Sequence, residues 1–435
     1  MRFLRRQRKR RACVVGLDGV PFGLLTRLAQ ESVMPRTREI TREGGLHRMR
    51  AALPPVSSVS WSSFMTGTNP GEHGIFGFTE ADPNTYSLRF PLFTDLAAET
   101  FWDRLGRAGR RCAIINQPAT YPARPVPGAL VSGFVALELK RSVWPQQHLA
   151  ALEAMDYQID VDSRRAREDA DALLDDLFAS LDTRRRAASY FWEQEAWDYF
   201  QVVVTGTDRL HHFLWHAVEA ASDPRHDRAM AYYAAVDAFV GELWDLFHRG
   251  AGADEEGMGF LILSDHGFTG VEREVRLNAW LHANGYLQYR TEDPTSVGDI
   301  APTSRAFALD PGRIYVNAKD RFAQGCVAPE AVSALCEELA ASLRDLSHEG
   351  APVVEEIFHR EDLYRGPVAH LGPDLVLLSR PGFDLKGTTR GKEIVAPTHF
   401  QGMHTWDDAV VWSRLALSEN PEISELAAVI EEWLG

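Results

Sequence analysis

Hydrophobic residues along this chain gather in short unbroken runs rather than in strict alternation. Residues 12–17 (ACVVGL), 199–204 (YFQVVV) and 259–264 (GFLILS) are the clearest. Runs of this length, rich in Val and Ile, predict strands buried on both faces. Shorter runs at 49–53, 112–115, 129–134, 374–378 and 410–412 predict further strands. Between them the apolar spacing turns helical, at 21–30, from Pro35 to Gly44-Gly45, at 99–109, 149–195, 225–248 and 421–434. The hydroxyl-rich segment 57–66 (SSVSWSSFMT), closed by Gly67, predicts a helix with Ser57 at or near its N-cap. Strands alternating with helices predict an α/β fold, a doubly wound sheet with helices on both faces. Residues 301–335 predict a strand, turn and helix insertion. Segments 137–195 and 285–365 are more charged and break the alternation, so they predict cap insertions in a single domain spanning 12–435. There is no internal repeat.

Composition removes several alternatives. The 435 residues are 45% hydrophobic and 25% charged, average for a globular protein, which excludes disordered and collagen-like chains. Four cysteines, Cys13, Cys112, Cys326 and Cys336, show no framework spacing, which argues for a reducing compartment. Net charge is −15, yet residues 1–11 form a basic arm carrying Arg2, Arg5, Arg6, Arg8, Lys9, Arg10 and Arg11. The acidic body is a poor generic binder of nucleic acid, and the arm reads as a solvated tail. The apolar run after the arm is interrupted by Asp18 and is too short for a signal peptide. No segment approaches the roughly 20 apolar residues that span a bilayer. The expectation is a cytoplasmic protein with no nucleic-acid partner and no membrane span; oligomeric state is left open.

The chemistry lies at the strand ends. Three apolar runs lead into an acidic residue: Asp18, Asp208 and Asp265. In an open α/β sheet the carboxyl ends of the strands form the ligand crevice. Three carboxylates gathered there repel one another unless a cation holds them. Asp208 and His212 are four apart, so both can face one site from the first turn of a helix. Asp265 and His266 are adjacent at a strand end. This mixed oxygen and nitrogen donor set suits zinc, and manganese or iron would also fit.

The segments GLDGV (16–20), PPVSSVSWSSFMTGTNPGEHGIFGF (54–78), NQPATYP (116–122), TGTDRLHHFLW (205–215), SDHGF (264–268), LNAWLHANGYL (277–287) and GMHTWDD (402–408) occur in this order. Together they resemble the alkaline phosphatase superfamily, in its type I phosphodiesterase/nucleotide pyrophosphatase branch, which includes bacterial phosphohydrolase/phosphomutase members. The resemblance implies an alkaline-phosphatase-like sheet and two divalent metal sites. Asp208, His212 and a late histidine would hold one cation; Asp18, Ser57, Asp265 and His266 would hold the other. It also implies a nucleophile ten residues before the Gly of a Thr-Gly pair, which counts back from Gly67 to Ser57, with Ser58 the alternative. The late histidine would be His404, in a Gly-x-His, with His399 the alternative. His211 is expected to face outward, and no ligand role follows for His73 or His216.

What the resemblance implies is a two-metal phosphohydrolase acting on a small phosphorylated substrate, a nucleotide among the candidates. A serine hydroxyl is a weak nucleophile at neutral pH, and metal coordination would lower its pKa. A helix N-terminus at Ser57 would favour both alkoxide and phosphate. Two cations about 4 Å apart would stabilise the attacking and leaving oxygens, through a phosphoseryl intermediate. No Lys or Arg occurs between Arg50 and Arg89. This favours a diester or pyrophosphate over a monoester, unless Arg313, Lys319 or Arg321 reaches in from a cap. The family's asparagine after the HGI motif is replaced here by Phe76-Gly77-Phe78. Asn116, Tyr121, Tyr315 and Arg321 are candidate substrate contacts. A phosphomonoesterase, a phosphonate hydrolase or phosphotransferase, and a metal-binding pseudo-enzyme acting as a scaffold are the competing readings. The segment Ser57-Ser58-Val59-Ser60-Trp61 lacks the sulfatase motif.

Overall fold

The computed structural model describes residues 10–249 and 257–435. Most of the basic arm lies outside the described residues. Of its members, Arg11 donates from Nε to the Trp197 carbonyl at 2.7 Å.

The strands used below are β1 (Arg11–Leu17), β2 (His47–Met49), β3 (Cys112–Gln117), β4 (Gly128–Ser132), β5 (Val143–Trp144), β6 (Tyr199–Val204), β7 (Met258–Leu263), β8 (Gly267–Arg276), β9 (Ala306–Leu309), β10 (Arg313–Val316), β11 (Val354–His359), β12 (Leu375–Ser379), β13 (Gly382–Lys386), β14 (Val395–Pro397), β15 (Gly402–Thr405) and β16 (Ala409–Ser413). The main sheet has the order β2-β16-β7-β1-β6-β3-β4-β5. Its central strands β7, β1, β6, β3 and β4 are parallel, and β2, β16 and β5 add antiparallel edges. Chain order reverses at β1, which lies between β6 and β7. The register is flush there: Leu17 stands opposite Val204, and Gly16 opposite Leu263. The residues that follow these three strands therefore emerge together at one edge.

Helices cover both faces. On one side Cys13, Val15 and Leu17 pack with α1 (Phe22–Gln30), α4 (Ala170–Gln194), α5 (Gly206–Glu219) and α6 (His226–Arg249). On the other, Ala12 and Val14 pack with α2 (Ser57–Thr66), α3 (Phe101–Arg107) and α8 (Glu425–Leu434). The strand is apolar at consecutive positions because it serves both layers. A second core forms where β9, β10, β12 and β11 make a four-stranded sheet under α7 (Val332–Arg344). Strand β8 pairs with β13, β14 and β15, carrying the chain from the main sheet to this second unit.

Several expected boundaries differ. The strand expected over 49–53 is only His47–Met49; beyond it the chain leaves the sheet, and Ala51 N–H bonds the Trp406 carbonyl at 2.8 Å. The expected helix 149–195 is three helices, Leu149–Ala154, Ser163–Glu168 and α4. Asp162 and Asp169 cap the second and third through their side chains, which starts each helix afresh. Residues of α4 such as Leu173, Leu177 and Phe191 belong to the main core, so this part of segment 137–195 is a layer of the sheet rather than a cap. The stretch 301–335 holds two strands, β9 and β10, and the start of α7.

Trp61 on α2 ties a helix to the central strand. A methyl group on Gly16 would stand 2.6 Å from Trp61 Cη2, closer than any real Cβ contact. We expect Gly16→Ala to cost about 1–3 kcal/mol, as overpacking of a filled core does. Urea unfolding of the two proteins checks this; equal midpoints would refute it.

Candidate active site

The three strand ends bring Asp18, Asp208 and Asp265 into one buried place. Asp18 follows β1 directly, Asp265 follows β7 after Ser264, and Asp208 lies in the first turn of α5 after β6. His266 is their hub: its Nε2 is 3.3 Å from Asp265, 3.8 Å from Asp18 and 4.0 Å from Asp208. His212 is one turn along α5 from Asp208, at 3.4 Å. His404 arrives on β15, whose antiparallel pairing with β8 sets it opposite Phe268. Its Nε2 is 3.2 Å from Asp208 and 2.9 Å from His212 Nε2. Ser57, the first residue of α2, puts Oγ 3.3 Å from Asp18 and 3.2 Å from His266 Nε2. The cap residue is Val56 rather than Ser57, whose hydroxyl is turned to the carboxylates instead of to the helix backbone.

Each of these six ligand-type side chains is held by one atom and faces the site with another. The histidines donate from Nδ1 to backbone carbonyls: His212 to Gly402 at 3.1 Å, His404 to Pro55 at 2.9 Å and His266 to Gly267 at 3.0 Å. That turns the three Nε2 atoms inward, where those of His212 and His404 meet at 2.9 Å and that of His266 meets Ser57 Oγ at 3.2 Å. The carboxylates repeat the pattern. Asp18 Oδ2 accepts the Trp61 indole N–H at 3.0 Å, Asp265 Oδ1 accepts Gly19 N–H at 3.0 Å, and Asp208 Oδ2 accepts from Arg209 at 2.8 Å. Asp208 Oδ1 and Asp265 Oδ2 are buried with no hydrogen-bond donor among the described residues. Gly402 explains the Gly-x-His spacing: a Cβ there would lie 2.7 Å from the His211 carbonyl.

The electrostatics are those of a cation site. Burial, together with Asp265 and Asp208, pushes the Asp18 carboxyl well above the usual range. Burial lifts Asp265 to about 7, helped by Asp208. Burial opposes ionisation of Asp208 too, but the surrounding His212, His404 and Arg209 hold it well below the usual range, and Arg209 is the permanent charge among them. Burial pushes His212 down to about 3 and His266 well below the usual imidazole range, so both are neutral at pH 7. Two imidazole nitrogens 2.9 Å apart, beside orphaned carboxylate oxygens, suit a divalent ion. Two overlapping groups have ligand atoms close enough to share an ion, Asp208 with His212 and His404, and Asp18 with Asp208 and His266.

The site opens into a cavity of about 700 Å³. Ser57, Asp208, His212 and His404 lie on its floor, and Phe78, Phe134, Phe213 and Phe400 give it apolar walls. Arg209 and Lys386 also reach it, and both are paired: Arg209 with Asp160 at 2.6 Å and with Asp208, Lys386 with Asp384 at 2.7 Å.

The four candidate substrate contacts are placed elsewhere, and none lines this cavity. Asn116 is buried and bonds the Val203 carbonyl at 3.1 Å. Tyr121 borders a separate small hollow behind Phe78, together with Ser58. Tyr315 stacks on Phe307 at 5.5 Å and accepts from Arg313. Arg321 is spent on Asp374 and the carbonyls of Leu371 and Gly372. Arg313 is locked onto the Thr79 carbonyl, and Lys319 is exposed, so neither supplies a cation to Ser57. His399 is exposed and outside both ion-binding groups. His211, expected outside, is fully buried: it bonds the Gly19 carbonyl at 2.9 Å and the Tyr233 hydroxyl, fixing the turn after β1. Sequence reasoning overlooked Trp61 and Arg209. Their signals are position: Trp61 is one helical turn after Ser57, and Arg209 adjoins Asp208.

A profile of the type I phosphodiesterase/nucleotide pyrophosphatase family matches residues 12–407. The chain belongs to this family. It is therefore a phosphoric ester hydrolase of the alkaline phosphatase superfamily, whose members are metal-dependent. No curated protein sequence matches it significantly. Solved structures share its fold. Phosphonoacetate hydrolase from Sinorhizobium meliloti 1021, in complex with phosphonoformate, superposes with a TM-score of 0.65 at 16% identity, over 98% of this chain and 96% of that one. Murine ectonucleotide pyrophosphatase/phosphodiesterase 5, in complex with AMP, gives 0.58 at 13% identity, over 98% and 95%. The human form gives 0.57 at 13% identity, over 98% and 94%. No helix among the described residues is long and apolar enough to cross a membrane.

An ion that binds only the folded site stabilises it by about 2.7 kcal/mol at a hundred times its dissociation constant. Zinc should raise the melting temperature of chelator-treated protein by a few degrees. Asp208→Asn, which disables both groups, should abolish that rise. A zinc-independent melt of the unmutated protein would count against the site.

Proposed function

We propose that this enzyme cleaves a phosphodiester or nucleotide pyrophosphate bond, with Ser57 as nucleophile and two divalent cations, zinc the leading candidate. The observation that carries the reading is Ser57 Oγ within 3.3 Å of both Asp18 and His266, inside the cluster of orphaned ligand atoms. Asp208, His212 and His404 would hold one cation; Asp18, Asp265, His266 and Ser57 would hold the other. When bound, the ions would supply Lewis acidity and lower the pKa of the Ser57 hydroxyl.

The chain's own groups do the rest. Ser57 Oγ gives up its proton and attacks phosphorus; the bond to the leaving oxygen breaks, and that oxygen leaves with the electron pair and takes up a proton. A water then attacks the phosphoseryl group, the P–Oγ bond breaks, and Ser57 regains its proton. The position of Ser57 at the start of α2 turns free backbone N–H groups toward the phosphate. The three bare imidazole nitrogens cannot serve as bases while they hold cations, so proton traffic runs through solvent in the cavity. Its volume of about 700 Å³ suits a nucleotide-sized substrate, and the Phe78–Phe134 wall suits an apolar or aromatic leaving group.

The diester is favoured because both buried cations of the cavity, Arg209 and Lys386, are already paired with carboxylates, and the third cation of the lining, Arg167, is exposed over the Phe400 ring. A monoester's second charge has no unpaired buried partner among the described residues. The fold-sharing phosphonoacetate hydrolase makes a phosphonate the competing substrate.

Side-by-side turnover of bis-p-nitrophenyl phosphate and p-nitrophenyl phosphate tests this. We expect the diester to be preferred, and Ser57→Ala to lower its kcat by roughly a thousandfold or more, as loss of a nucleophile does. A preference for the monoester would overturn the substrate assignment; an active Ser57→Ala would overturn the nucleophile.

A further inference from the structure

Each of the three carboxylates has one oxygen committed to an N–H donor that is not itself a ligand. For Asp265 the donor is the backbone of Gly19. For Asp18 and Asp208 it is a side chain, Trp61 and Arg209. We infer that Trp61 and Arg209 are positioning residues that restrict Asp18 and Asp208 to one-oxygen coordination of the divalent cations. The inference rests on the two-metal reading above and concerns residues with no role in it.

The arrangement is specific on both sides. Trp61 is one helical turn after Ser57, so a single helix delivers the hydroxyl to Asp18 Oδ1 and the clamp to Asp18 Oδ2. Packing alone does not need the indole N–H: Phe64, on the same helix, fills the same core with no polar atom. Arg209 is itself held. Its Nε and Nη2 bond Asp160 at 3.0 and 2.6 Å, and its guanidinium lies 4.2 Å over the Phe134 ring. Its Nη1 donates to Asp208 Oδ2 at 2.8 Å, while Oδ1, the oxygen turned to His212, His266 and His404, stays bare. A carboxylate free to rotate can offer both oxygens to one ion. That would fill the coordination position a substrate oxygen needs, since catalytic zinc keeps one open. Denying the outer oxygen keeps it open.

Cobalt(II) in place of the native ions tests the inference by its visible spectrum, because four-coordinate cobalt absorbs more strongly than five- or six-coordinate cobalt. Trp61→Phe keeps the ring and removes the donor; Arg209→Met keeps the stem and removes the donor. We expect both to lose about half or more of the visible absorption per bound cobalt, and to lower kcat by about tenfold or more with KM changed less, the scale of lost second-layer contacts. Arg209→Lys, which can return one donor to Asp208, should recover part of the spectrum and serves as the second variant should Arg209→Met fold poorly. Wild-type spectra in Trp61→Phe and Arg209→Met, with kcat falling only in step with the melting temperature, would reduce both residues to packing and overturn the inference alone. A wild-type protein that takes up no cobalt would overturn the two-metal reading, and this inference with it.

Discussion

Like-charge repulsion is the constraint around which this molecule is organised. Three buried carboxylates lie within 4.0 Å of a single imidazole nitrogen. At an effective dielectric of about 20, two unit charges 4 Å apart repel by about 4 kcal/mol. A whole domain is stable by only about 5–15 kcal/mol. Left to itself the cluster would spread apart or take up protons, and the raised carboxyls of Asp18 and Asp265 show the second tendency. The fold has to hold the cluster together until a cation replaces the protons.

The flush register of β6, β1 and β7 does the coarse part, bringing three chain segments out at one edge. Fine placement comes from the hydrogen bonds behind the ligand atoms. The Asp18 carbonyl accepts the Thr207 hydroxyl at 2.6 Å, and His211 bonds the Gly19 carbonyl, so the turns after β1 and β6 are tied to each other. The pairing of β8 with β15 then delivers His404 over His266, ring centroids 3.7 Å apart. A site assembled from five distant stretches of chain is thus fixed by hydrogen bonds behind its inward-facing atoms, to backbone carbonyls for the histidines and to Trp61, Gly19 and Arg209 for the carboxylates.

The layered sheet was legible in the sequence because a strand covered on both faces must be apolar at every position, and a short unbroken run bounded by polar residues is the mark that leaves. Residues 12–17, 199–204 and 259–264 all became central strands. The cluster of Asp18, Ser57, Asp208, His212, Asp265, His266 and His404 was legible through an ordered series of motifs rather than through spacing alone. The misses share one cause: whether a polar side chain faces a cavity or the interior depends on long-range packing. Asn116 has the type of a ligand contact, but its amide caps interior groups of β6 and the residue after it. His211 reads as a surface neighbour of His212, yet α5 is sandwiched and buries both sides of its first turns. Helix 149–195 broke because its aspartates at 162 and 169 compete for backbone N–H groups, a local effect that apolar periodicity does not register.

Charge balance links the clamps to the chemistry. Asp160 cancels Arg209, and Asp384 cancels Lys386, so neither buried cation of the cavity is left free to offset the three clustered carboxylates. On the proposed reading, two dications against three carboxylates would leave one positive charge. That surplus would favour ionisation of Ser57, whose hydroxyl stands 3.3 Å from Asp18. With Ser57 ionised such a centre would be neutral, with little attraction left for a second substrate charge. A singly charged diester asks less of such a centre than a doubly charged monoester. The same neutrality would give the outer oxygens of Asp18 and Asp208 their weight: with no spare charge to hold a substrate, an open coordination position is what such a site would have left to offer it.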